Sequence, residues 1–271
     1  METPEPGPLS IHLEIIPTAG IVEAVRKAVP PSSSSSLSVT CLPRHGVEAT
    51  LRVAAELAQD GYRVVPHLTA KGLSSRAQLG RILADCADAG LTELFAVGGD
   101  AGVPAGPYRD GEELLRDIAE LGGERFTVGV AGYPEGHPGI EDRVLLDSLR
   151  RKQEYASRVV TQMCFSAERI GAYVAALRSE GVELPVRVGV AGAVPTARLV
   201  SLAAKIGVGS SLRFLSGKKS LARNLLSRDR YAPDEMIGAL GAVPGLDGVQ
   251  LYTFNVLDAL TLSPAGQVPR D

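Results

Sequence analysis

Apolar residues along the chain gather into short, near-continuous runs, separated by longer stretches where apolar and polar positions recur with helical spacing. The runs read as strands at His12–Ile16, Leu37–Cys41, Arg63–His67, Glu93–Val97, Phe126–Val130, Arg158–Met163, Val186–Val190 and Val249–Tyr252. Several, such as Leu94-Phe95-Ala96-Val97, suit parallel strands covered on both faces. Between them, Val47–Ala58 carries apolar Leu51, Ala54, Ala55 and Ala58 on one face, and Gln78–Ala89, Gly111–Leu121 and Ala167–Leu177 behave alike. Gly61, Gly90, Gly122 and Gly181 stand where those helices should stop.

The strands recur at about 25 to 35 residues, the length of one βα unit, until a gap nearly twice as long before the last. Extra helices near Thr196–Lys205, Lys219–Leu226 and Pro233–Leu240 are expected to fill that gap. The pattern predicts an α/β fold, a (β/α)8 TIM barrel, forming one domain over residues 1–271. An open doubly wound sheet is the alternative, but no GxGxxG follows any predicted strand. Pro30-Pro31 and the serines Ser32–Ser36 read as a low-complexity connector on the lower rim.

Composition narrows the function classes. Hydrophobic residues at 45% of 271 allow a sizeable core, and a net charge of −3 leaves no basic stripe for nucleic acid or a membrane surface. No apolar stretch approaches the roughly 20 residues of a membrane span, and the acidic, Pro-rich start does not read as a signal peptide. Cys41, Cys86 and Cys164 are far apart, with no CxxC, so neither a metal site nor a disulfide framework is expected. A reduced, cytoplasmic setting follows, and a homo-oligomer remains compatible.

In such barrels chemistry gathers at the C-terminal ends of the strands. Glu14 lies within the first predicted strand, His67 ends the third, Asp100 follows the fourth after Gly98-Gly99, and Gln162 ends the sixth. Tyr133, Glu135 and His137 follow the fifth, and Tyr252 and Asn255 the eighth. An inward carboxyl in an apolar strand needs a purpose, since burying it unpaired costs several kcal/mol or raises its pKa. Taken singly, Asp100 could be a helix cap and His67 a wall residue.

Seven short motifs in order carry a resemblance. Leu13-Glu14-Ile15-Ile16-Pro17, His67-Leu68-Thr69, Gly99-Asp100, Gly129–Pro138 with Tyr133-Pro134-Glu135, Arg150-Arg151-Lys152, Thr161-Gln162 and Tyr252-Thr253-Phe254-Asn255 closely resemble the methylenetetrahydrofolate reductases. The resemblance implies a (β/α)8 barrel that reduces 5,10-methylenetetrahydrofolate to 5-methyltetrahydrofolate with NADH or NADPH. It maps the family's first-strand acid onto Glu14, its Gly-Asp aspartate onto Asp100 and its Thr-Gln glutamine onto Gln162. Glu14 and Asp100 are then expected to be catalytic. Gln162, Tyr252, Phe254 and, more loosely, Phe214 would meet the folate. Thr40, His67, Tyr133, His137 and Lys152 would meet the cofactor. The expectation reduces to one geometric statement: Glu14, Asp100 and Gln162 share a cavity around a pterin.

Typical members bind FAD, and here the flavin positions depart from the pattern. Gly98 replaces an Arg, Leu145 and Ser148 replace an Asp and an Asn, Gly139 replaces a Glu and Val256 an Arg. The turn Gln153–Ala156 is shorter, and its Tyr155 is expected to close the flavin pocket. Val39–Gly46 resembles the short flavin-independent actinobacterial members. Direct hydride transfer from NAD(P)H is therefore expected, with FAD dependence as one alternative and a non-catalytic folate-binding barrel as another.

Overall fold

The computed structural model describes residues 9–31, 36–99, 102–199, 230–258 and 267–268. Strands and helices alternate: β1 (Leu9–Ile15), α1 (Ile21–Ala28), β2 (Ser36–Val39), α2 (Gly46–Gln59), β3 (Arg63–Thr69), α3 (Arg76–Asp88), β4 (Glu93–Val97) and α4 (Gly111–Gly122). There follow β5 (Thr127–Gly132), α5 (Asp142–Lys152), β6 (Arg158–Met163), α6 (Ala167–Ser179), β7 (Val186–Ala191), α7 (Asp234–Leu240) and β8 (Leu246–Tyr252). The eight strands are parallel, and β1 pairs with both β2 and β8. That double pairing closes the sheet into a (β/α)8 barrel and overturns the open-sheet alternative. A two-residue strand, β9 (Gln267–Val268), adds antiparallel to Leu9 and Ser10, which the hydrophobic pattern did not reveal.

The strand faces explain the closure. In β1, Leu9, Ile11, Leu13 and Ile15 are buried and belong to the main core cluster, while the alternate Ser10, His12 and Glu14 take the other face, toward the bore. Each fully buried aliphatic side chain contributes about 1.5–3 kcal/mol, so the layer between strands and helices carries the fold. The bore itself is polar where branched aliphatics usually fill such barrels. At its β-strand N-terminal end Arg63 pairs with Glu93, and Asp247 accepts from Arg158 at 2.8 Å with Arg187 at 3.7 Å. One layer higher, the His12 ring hydrogen-bonds Ser36 and lies 3.0 Å from the Ser10 hydroxyl. Burial, then the charges of Arg187, Arg158 and Arg63, push His12 down to about 2, so its imidazole is neutral.

Local signals hold most helices in place. Ser75, Asp110 and Ser166 cap α3, α4 and α6 by accepting backbone N–H groups. Gly61, Gly90 and Gly181 take positive φ after their helices as expected, but at α4 the left-handed residue is Gly123, one place beyond the predicted Gly122. Ser36 also departs from the expectation, opening β2 and turning into the bore instead of ending a connector. Of the three extra helices, residues 196–199 are helical and α7 matches the third, whereas Lys219–Leu226 lies outside the described residues.

Candidate active site

Glu14 stands in register with Ser38 on β2 and Tyr252 on β8, near the C-terminal mouth of the barrel. Its side chain is 15% exposed, and its carboxyl hydrogen-bonds the Gln250 amide. Burial raises the carboxyl to about 8 against the opposing pull of Gln250. His67 Nε2 approaches Glu14 Oε2 at 4.0 Å. Burial holds that imidazole down at about 3, its ring tilted against Phe95 at 4.6 Å. The approach is therefore between a neutral acid and a neutral imidazole near pH 7, not an ion pair.

Tyr252 joins Glu14 to β6. Its phenol passes over Gly189 of β7 and donates to the Thr161 carbonyl at 2.9 Å, next to Gln162. A register shift between Val160 and Met163 frees that carbonyl, and Thr161 Oγ1 accepts from Gly189 N in place of a ladder bond. Gly189 leaves room for the ring: a Cβ there would stand 2.4 Å from the Thr161 carbonyl oxygen and 2.5 Å from Tyr252. Burial raises the phenol well above its usual value, followed by the charges of Glu14 and Tyr133. Tyr133 in turn meets His137 edge-on, with ring centroids 5.1 Å apart. Glu14, His67, Tyr252 and Tyr133 are thus neighbours, with half-buried Gln162 one residue from the tyrosine's anchor.

Thr40 is buried just past β2, and its hydroxyl oxygen has no hydrogen-bond partner. The Lys152 side chain is lowered by burial, while Asp110 and Glu112 at the start of α4 pull the other way. Phe254 has φ 48°, with the Arg198 guanidinium 6.0 Å above its ring. Asn255 is a tie: its side chain accepts from Ile16 N at 2.8 Å and donates to the Ile16 carbonyl and to Thr18, pinning the end of β1 to the end of β8. Tyr155 packs against the core in the turn leading into β6, away from the strand C-termini, so it does not close the mouth as expected. Asp100 and Phe214 lie outside the described residues. The residues ahead of Asp100 are fixed by packing, since Gly99 has φ 88° and sits against Thr69.

The bore residues His12, Ser36, Ser38 and Gln250 were missed by reasoning from the rim alone. Their signal was present in period-2 alternation: Ser10-x-His12-x-Glu14 on β1, Ser36-x-Ser38 on β2 and Gln250-x-Tyr252 on β8 all put polar side chains on one face. Among the described residues no helix is long and apolar enough to cross a membrane.

Comparison with known proteins places this geometry. Residues 19–206 match the family model for methylenetetrahydrofolate reductase. Methylenetetrahydrofolate reductase 1 of Schizosaccharomyces pombe is 28% identical over 135 residues, 46% of this chain and 22% of that protein. Methylenetetrahydrofolate reductase 2 of Saccharomyces cerevisiae is 29% identical over 31% of this chain and 15% of its own length. A probable methylenetetrahydrofolate reductase (NADPH) of Caenorhabditis elegans is 32% identical over 37% of this chain and 16% of its own length. The alignments thus span less than a quarter of each relative. A crystal structure of 2,3-dimethylmalate lyase, from the PEP mutase/isocitrate lyase superfamily, superposes with a TM-score of 0.49 at 10% identity over 68% of each chain, too remote to bear on function. With the match running through most of the barrel, this chain belongs to the methylenetetrahydrofolate reductase family.

Proposed function

We propose that the protein reduces 5,10-methylenetetrahydrofolate to 5-methyltetrahydrofolate, with hydride passing directly from NADH or NADPH. The observation that carries this reading is Glu14: a carboxyl on the first strand of a family barrel, enclosed near the mouth and raised to about 8, is a proton donor at neutral pH. The Glu14 O–H bond breaks as its proton goes to N10 of the folate. The C–N10 bond breaks with its electron pair retained on N10, leaving a cationic N5 iminium. Hydride then adds to the iminium carbon and leaves NAD(P)+, because no side chain can supply that hydride. In this reading Asp100 stabilises the iminium charge and holds the pterin amino group. Gln162 both donates to and accepts from the pterin edge, and Tyr252, Phe254 and Phe214 wall the folate.

A flavin fits these residues poorly. The free Thr40 hydroxyl, His67, Tyr133 and His137 line the right side, but the phosphate-facing cations are depleted. Gly98 and Val256 replace arginines, and the surviving Lys152 is within the field of Asp110 and Glu112. Along α5, Leu145 and Ser148 replace polar ligands, and Val144 is 52% exposed. No step is assigned to FAD. The kinship with the short flavin-independent members belongs to the same proposal, as does a cytoplasmic setting, which three free and buried cysteines suit.

Anaerobic mixing of purified protein with methylenetetrahydrofolate and NADH, then NADPH, tests the reading. Nicotinamide oxidation without added FAD, by protein lacking a flavin's visible absorbance, is the expected result. A yellow preparation, or turnover only after FAD is supplied, contradicts the direct transfer. Folate binding with no oxidation of either nucleotide contradicts the enzyme reading and leaves the folate-binding barrel.

A further inference from the structure

The family motifs do not include Gln250, yet its side chain hydrogen-bonds the proposed acid. Gln250 lies on β8, in register with His12 on β1 and Gly189 on β7, and is buried. Its amide reaches past β1 to meet two groups, the Ser38 hydroxyl of β2, to which Nε2 donates, and the Glu14 carboxyl. Glu14 and Ser38 are themselves register partners, so the three side chains form one compact set on the bore wall.

We propose that Gln250 is a positioning residue for Glu14: its amide holds one carboxyl oxygen, so that the acidic proton rides on the other, and Ser38 fixes the amide's orientation. This rests on the reading of Glu14 as proton donor. A primary amide nitrogen has two hydrogens. With one given to Ser38, the other is available to Glu14. A protonated carboxyl has one oxygen that only accepts and one that donates. The amide N–H satisfies the accepting oxygen and leaves the hydroxyl free to aim at N10. After proton transfer the same N–H holds the carboxylate, which keeps a buried acid strong enough to give up its proton.

The other groups facing Glu14 do not duplicate this work. His67 on β3 is neutral and at 4.0 Å lies beyond hydrogen-bond reach. Tyr252 on β8 stays protonated and spends its hydroxyl on the Thr161 carbonyl. His12 on β1 is neutral, and Tyr133 follows β5. Glu93, Arg158 and Arg187 line the same cavity but pair with Arg63 and Asp247 at the N-terminal end.

The test is the pH profile of kcat/KM in Gln250→Met, which keeps length and apolar bulk but removes the N–H. A hydrogen bond to a charged group is worth enough to move the alkaline limb upward by about one pH unit and to lower kcat about tenfold. Ser38→Ala, a milder change that spares folding, should move the limb in the same direction by less. A limb unmoved in both variants overturns the proposal, because a merely structural role would lower the rate without shifting the profile. Glu14→Gln run in parallel separates the failures. If it is inactive while the limb stays fixed, the positioning claim alone is wrong. If it is fully active, the proton-donor reading beneath it is wrong.

Discussion

Glu14→Gln is expected to lower kcat by roughly a hundred- to ten-thousandfold, the usual worth of a positioned general acid, while folding and folate binding persist. The substitution is close to isosteric, and the new side-chain carbonyl can accept the Gln250 N–H as the acid's carbonyl oxygen does. What disappears is the proton. Isothermal titration with folate should therefore match the wild type while turnover does not. Near-wild-type turnover would remove Glu14 from the mechanism. Loss of folate binding together with turnover would instead make it a binding group.

Gly189→Ala is expected to cause a large loss of stability at the mouth. The new Cβ would meet the Thr161 carbonyl oxygen at 2.4 Å, the Tyr252 ring at 2.5 Å and the Gln162 carbonyl carbon at 3.0 Å. Two of those contacts are backbone, so a rotamer change cannot relieve them. Overpacking of this kind costs about 1–3 kcal/mol, a fall in melting temperature of roughly 2 to 12 °C for a chain of this size. The same strain must shift β6 or tip Tyr252, so the surviving folded protein should bind folate more weakly. Calorimetry beside folate titration checks both. An unchanged melting temperature would mean that β6 and β7 are farther apart than the geometry has them.

Much of the fold was legible in the sequence for a plain reason. Alternate residues of a strand face the helices and the bore, and an unbroken apolar run such as Leu94-Phe95-Ala96-Val97 marks a parallel strand covered on both faces. The site was legible only at its rim. Glu14 stood out because a carboxyl interrupts an apolar run. Ser36 did not, because a serine after four others reads as connector, although it opens β2 and bonds His12. Gln250 was hidden by the opposite effect, lying in a strand already explained by Tyr252. Side-chain parity decides inside from outside, and a one-residue slip inverts it, so an isolated strand does not announce which polar residues share the bore.

One misreading came from chain direction. Tyr155 follows the Arg150-Arg151-Lys152 motif, but the turn it occupies leads into β6 at the strand's start, so proximity in sequence to a cofactor motif did not mean proximity to the mouth. Asn255 belongs to a family motif and reads as a polar rim residue, yet its amide is spent holding Ile16 and Thr18. Its φ of 63°, with 48° at Phe254, shows the tight return that this tie maintains. In both cases the backbone bonds around the residue, which no motif encodes, set its role.

The most direct measurement is the pH dependence of wild-type kcat/KM, which reports ionisations of the free enzyme. An acid that must carry its proton, with Glu14 raised to about 8, gives a profile level through neutrality that falls above about pH 8 by about tenfold per unit. A rate that climbs as an ordinary carboxylate ionises and stays level past pH 8 would mean that Glu14 acts charged, and would contradict the account.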